Sequence, residues 1–214
     1  MKVLKIITVS LLFFVISCQE ISDYKLIKKQ LIEMAKVDQD VQMALIDLKT
    51  EKEKINQYKK QDSVFKNHTN IIKILFDKYG FLGYDKIDKE GSEAFWILVQ
   101  HADHDTIFQN QVLKKMKIEV LKNNASAKNY AYLQDRILIN SGENQIYGTQ
   151  LEYKGLWVVP KKLQDSSNVN KRRKEIGLKS IEKYLNNAME FHYKMNKTRY
   201  NEMGVFKPNS YTEK

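Results

Sequence analysis

Apolar residues recur at steps of three and four along most of this chain, and that period predicts a mainly α protein. Over residues 24–60 the stripe Ile27, Leu31, Met34, Val41, Leu45, Leu48 and Ile55 predicts one long amphipathic helix. Asp38 occupies the step missing between Met34 and Val41. A carboxylate on a buried seam is costly unless a cation or strong hydrogen-bond donors meet it. A second helix, over about 63–79, carries Val64, His68, Ile71 and Leu75 on one face and stops at Gly80, so His68 points inward too. Ser92 is placed to cap a third helix in which 95–99 is apolar all round, the mark of a segment surrounded by other elements. Gln100-His101-Ala102-Asp103-His104-Asp105 follows, with Asp105 placed to cap a fourth helix bearing Phe108, Val112, Met116 and Val120. A fifth, 127–139, ends at Asn140-Ser141-Gly142.

The period then changes to two. Residues 145–152 and 156–161, joined across the glycine-containing turn 153–155, predict two strands. Asn168 is placed to cap a short helix closed by Gly177, Ser180 to cap a final one reaching about 196, and the residues from Met203 read as a loose tail. The expected organisation is a signal segment at 1–17, a linker at 18–23, one helical domain at 24–200 with a small β-hairpin at about 145–161, and a flexible tail at 201–214.

The N-terminus carries an address. Lys2 and Lys5 precede an uncharged, mostly apolar run from Ile6 to Ser17 that is too short to span a bilayer. Cys18, the single cysteine, closes Val15-Ile16-Ser17-Cys18. The segment resembles a bacterial lipoprotein lipobox, and the resemblance implies lipid attachment at Cys18 and a membrane partner through that anchor, outside the cytoplasm. Gln19 stands where an aspartate retains many such proteins at an inner membrane, which points to the outer one. A buried first helix is the alternative, disfavoured by the basic start and the small Ser17.

Charge adds a constraint. The formal charge is +10, and removing 1–17 takes two lysines and no acid, so the mature chain stays basic. An exported chain whose lysines are interspersed with acids does not read as a nucleic-acid binder; anionic lipid, an envelope polymer or a small molecule is the expected counterpart. The densest cluster, Lys171-Arg172-Arg173-Lys174, reads as the solvated side of a short helix. With no second cysteine, packing alone must hold the core.

Four ordered motifs stand out: Gln100-His101-Ala102-Asp103, Tyr132-Leu133-Gln134-Asp135-Arg136, Gln145-Ile146-Tyr147-Gly148-Thr149-Gln150 and Arg173-Lys174-Glu175-Ile176-Gly177-Leu178. With Asp38-Gln39 in the first helix, they resemble a bacterial domain family of unknown function over roughly residues 30–185. Gln42 stands near where the resemblance leads one to expect an arginine. The family brings no activity, so chemistry must come from the residues.

His101, His104 and Asp105 fall at i, i+3 and i+4, on one side of a helix end. With His68 they form a candidate ligand set for a divalent metal, which could activate water for hydrolysis. The His-Glu-x-x-His spacing of zinc proteases is absent. The order His68, His104-Asp105, Asp135 is similar to that of helical His-Asp phosphohydrolases, though His104 does not close an apolar run. The structural alternative is that Gln100, Asp103 and Asp105 satisfy the amides and carbonyls of a helix corner and that Asp135-Arg136 is an internal ion pair. The candidate pocket comprises Asp38, His68, Gln100, His101, Asp103, His104, Asp105, Asp135, Arg136, Tyr147, Gln150 and Arg173. Two functions are open: a lipid-anchored ligand-binding or scaffold domain, and a metal-dependent hydrolase.

Overall fold

A computed structural model describes residues 2–45 and 48–212, with side chains from residue 23 onward. The expected signal segment, residues 1–17, and the expected lipidation at Cys18 concern side chains outside the described residues. Among the described residues the protein is mainly α with one antiparallel hairpin, and no helix there is long and apolar enough to cross a membrane. The chain packs as two compact units, Met1–Ala125 and Ser126–Lys214.

The first unit holds α1 (Lys2–Met43), α2 (Glu51–Tyr79), α3 (Tyr84–Gln100) and α4 (Thr106–Leu121). The helix expected over 24–60 is two helices. The apolar period runs on through the break, so it does not register the end of α1. What does is Thr50-Glu51-Lys52-Glu53: the Thr50 hydroxyl accepts from the Glu53 N–H at 3.2 Å while the Glu53 carboxylate accepts from the Thr50 N–H at 3.0 Å, a reciprocal cap that starts α2. Gln57 donates to the Val41 carbonyl at 2.7 Å, satisfying one of the orphan acceptors at the end of α1.

The α1 stripe does bury Ile27, Leu31, Met34 and Val41, but Ile55 is exposed because it belongs to the next helix. On α2 the fully buried positions are Thr69 and Ile72, one residue along from the expected face. Helix α3 contacts α1, α2 and α4 and buries Ala94, Phe95, Leu98 and Val99, as a central helix should. It begins earlier than Ser92. Asp88, at φ 53°, breaks the helical path and accepts from the N–H groups of Glu90 and Gly91 at 3.0 and 3.2 Å, so the cap lies four residues upstream and Ser92 is buried inside the helix. Asp105 caps α4 as expected, accepting from the Phe108 N–H at 3.0 Å.

The second unit holds α5 (Ala127–Asn140), β1 (Leu151–Lys154), β2 (Trp157–Pro160), α6 (Val169–Glu175), α7 (Ile181–Met195) and α8 (Lys197–Glu202). The hairpin pairs Leu151 with Pro160 and Lys154 with Trp157 and turns at Gly155. It is shorter than expected: 145–150 is a loop, tied to the returning chain by a bridge between Gln145 and Leu163 and by the Lys161 N–H, which donates to the Gln150 carbonyl at 2.9 Å. Ser180 caps α7 through the Lys183 N–H, whereas the Asn168 side chain makes no cap bond to α6 and the Asp165 carboxylate accepts from the N–H groups of Ser167 and Asn168 just ahead of that helix. Val158, Val169, Ile181, Leu185 and Met189 form the core. Part of the expected loose tail joins it: Tyr211 donates from its hydroxyl to the Val158 carbonyl at 2.9 Å and from its N–H to Asn186 Oδ1 at 2.6 Å.

Candidate functional site

Three of the expected residues meet in the first unit. Asp38 is 0 % exposed, and its Oδ2 lies 2.8 Å from His101 Nδ1 while its Oδ1 bonds His68 Nδ1. Their carriers are α1, the C-terminal half of α2 and the residue that closes α3, so the cluster exists only once three helices have packed. Phe65 stacks on the His101 ring, centroids 4.4 Å apart, and fixes its plane. Burial works to raise the Asp38 pKa, but the hydrogen bonds from His101 and then His68 outweigh it and hold the carboxyl below its usual 3.8. A carboxylate facing both Nδ1 atoms places the N–H there and leaves each Nε2 as the acceptor. The side chains of His68 and His101 are 14 % and 10 % exposed, and Nε2 is the ring atom left to meet a cation or a donor.

The rest of the helix corner is otherwise engaged. Asp103 is exposed and accepts from Gln109 Nε2 at 3.2 Å, and His104 is exposed. Asp105 is committed to capping α4 and to Lys73, whose hydrogen bond, followed by that from the Phe108 N–H, holds its carboxyl below the usual range. His68, His101, His104 and Asp105 are therefore not gathered as one ligand set, and among the described residues no group of three or more His, Cys, Asp or Glu side chains is arranged to hold a metal. Gln109, which the sequence reading passed over, is fully buried and directs Nε2 at the carbonyls of Val99 and Gln100, 3.1 and 3.3 Å away, closing the end of α3. The available signal was a polar residue three and seven positions before the buried Val112 and Met116.

In the second unit the motifs build a polar core. Asp135, 0 % exposed on α5, accepts from the N–H groups of Ile146 at 2.8 Å, Tyr147 at 3.0 Å and Thr149 at 2.9 Å, and from the Thr149 hydroxyl at 3.0 Å. Asp135 thereby anchors the loop 146–149 to α5. Gly148 takes φ +70°, and a Cβ there would fall 2.7 Å from Ile181 Cδ1, so glycine lets the loop both turn and approach α7. Gln145 is a second clamp: its Oε1 accepts from the Gln150 N–H at 2.8 Å and its Nε2 donates to the Gln150 and Lys161 carbonyls at 2.9 and 2.8 Å. Gln150 thus serves through its backbone, with its side chain on the Thr149 hydroxyl at 3.2 Å. Arg136 is half-buried on α5.

The basic cluster of α6 divides by face. Lys171 and Lys174 are exposed, as a solvated face requires, but Arg172 bonds the Ile146 carbonyl and Asp165, and Arg173 is 1 % exposed. A seven-residue helix still has an inner side, and a long guanidinium there can reach backbone acceptors that an apolar side chain could not use. Arg173 donates from Nε to the Lys179 carbonyl and from Nη1 to the Tyr147 carbonyl, both at 2.6 Å, and lies over the Tyr184 ring with Cζ 4.9 Å from its centroid. Burial pulls its pKa below the usual guanidinium range, and burial likewise raises those of Tyr184 and Tyr147. Arg173 also lines a cavity of about 370 Å³ with Lys128, Tyr132, Gly177, Lys179 and Tyr184 among its walls.

A family of unknown function, DUF6624, matches residues 25–196, and the chain belongs to it. No curated protein and no solved structure matches the chain.

Proposed function

We propose that this chain is a lipid-anchored protein of the bacterial cell envelope that binds a ligand in the Arg173 cavity of its second unit. The anchor rests on Val15 to Cys18 and places the protein outside the cytoplasm, at the outer membrane by the identity of Gln19. The observation that carries the binding reading is a nearly fully buried guanidinium that lines a cavity of small-molecule size and, among the described residues, sits in no ion pair. Binding is the reading taken because the carboxylate of the unit's polar core, Asp135, is saturated by its own loop. Mass spectrometry of protein released from native membranes tests both parts. The expected result is a diacylated Cys18 at the N-terminus and a co-purifying small molecule; an unmodified N-terminus or repeated recovery of ligand-free protein would count against the respective part.

A metal-dependent hydrolase is the second reading. What favours it is Asp38, which orients two imidazoles through Nδ1 as carboxylates do behind metal-bound histidines. Stoichiometric zinc, manganese or iron lost in His101→Ala would support it, and metal-free protein would remove it.

A further inference from the structure

We propose that the Arg173 cavity recognises a carboxylate group on its ligand. The inference rests on the binding reading above and names the chemistry that the cavity selects. Three observations carry it. First, Arg173 spends Nε and one Nη1 hydrogen on the Lys179 and Tyr147 carbonyls, and among the described residues it forms no ion pair, so both Nη2 hydrogens remain for another acceptor. A guanidinium taken out of water is stable only when its charge is met, and a planar fork meets a planar carboxylate best. Second, Lys128 and Lys179 are exposed cations on the same cavity, and no acid is among its walls. Third, the negative field behind the site is moderate: Asp135 and Glu182 both act on Arg173, and each is already occupied, Asp135 by its loop and Glu182 by the Asn170 amide at 2.8 Å.

These charges select a singly charged ligand. Three cations faced by two carboxylates at a distance leave a small positive excess, which suits a monoanion and gives little extra for the second charge of a phosphate. Tyr184, under the guanidinium and tied through its hydroxyl to the Thr149 carbonyl at 2.9 Å, holds the fork in place, so little side-chain entropy remains to be lost on binding. A cavity of about 370 Å³ has room for the carboxyl end of an amino acid or short peptide.

The test is an NMR titration of the full chain in detergent micelles, following the Arg173 Nε–H resonance at constant ionic strength. The probes are N-acetylglycine, its neutral amide N-acetylglycinamide, and inorganic phosphate. N-acetylglycine is expected to shift the resonance saturably, and the amide to leave it unmoved. Followed instead at the backbone amides of Gly177 and Lys179, which line the same cavity, affinity should fall about tenfold or more in Arg173→Lys, where a point charge replaces the fork and the Nε–H is lost. Because that variant alters a buried residue, Lys128→Ala/Lys179→Ala provides a surface control, expected to weaken binding about threefold or more with the fold unchanged. Equal binding of the amide, tighter binding of phosphate than of N-acetylglycine, or indifference to both variants would overturn the proposal. Recovery of a neutral native ligand that occupies the cavity would end the carboxylate assignment and leave the binding reading intact. No response to any probe, together with ligand-free native protein, would end both.

Discussion

Asp135 and Thr149 are bonded twice, through the Thr149 N–H at 2.9 Å and its hydroxyl at 3.0 Å, both to the same carboxylate oxygen. The pairing turns a segment of alternating residues into a loop wrapped on a buried charge. Asp135→Ala should leave three backbone N–H groups without their acceptor and destabilise the second unit by about 3 kcal/mol. Amide hydrogen exchange at Ile146, Tyr147 and Thr149 reports it directly; protection equal to that of the parent would show that the carboxylate does not hold the loop.

Gly148 gives an independent reading of the same loop. Its φ of +70° and the 2.7 Å approach of a would-be Cβ to Ile181 predict that Gly148→Ala costs about 1–2 kcal/mol. The Ile181 side chain ends in a movable methyl, so Ile181→Val should recover part of the loss in the double variant. Additive losses in a double-mutant cycle would contradict the contact.

Asp38 sets an acid limit. Its folded pKa lies below the usual 3.8, so as pH falls through 3.8 the unfolded chain takes up a proton that the folded one does not. The contribution of Asp38 to stability is therefore complete above 3.8, declines below it, and is lost once pH passes the depressed folded value. Urea unfolding at a series of pH values, compared between the parent and His101→Ala, should show a steeper acid decline in the parent. Parallel curves would mean that His101 does not hold the Asp38 pKa down.

His101→Ala should also cost about 2–4 kcal/mol near neutral pH, because it leaves a fully buried carboxylate oxygen without its donor. A variant as stable as the parent, yet deprived of a bound metal, would shift the cluster from a structural to a functional role.

At the start of α2, Thr50→Ala should cost about 1 kcal/mol, with the loss confined to the first turn. Carbon chemical shifts over residues 51–55 would show fraying there, and an unaltered first turn would mean that packing rather than capping starts the helix.

Local periodicity was enough to read the mainly α class, the hairpin, the Asp105 and Ser180 caps and the inward aim of Asp38 and His68, because these depend on residues two to four positions apart. The break after α1 left a local sign as well, the Thr50 and Glu53 pair, hidden by a hydrophobic stripe that continues at helical spacing on both sides of it. Other features had no local sign. That Asp38 faces His68 and His101, thirty and sixty-three positions on, follows from how three helices pack. A carboxylate, a guanidinium or an alternating strand-like segment looks the same in sequence whether water or buried amides will satisfy it. Only the folded second unit decided that 145–150 wraps Asp135 instead of extending the hairpin, and that of four adjacent basic residues Arg173 turns inward. The reason is desolvation: the cost of burying a charge is set by the partners that tertiary packing brings to it, and those partners come from distant parts of the chain.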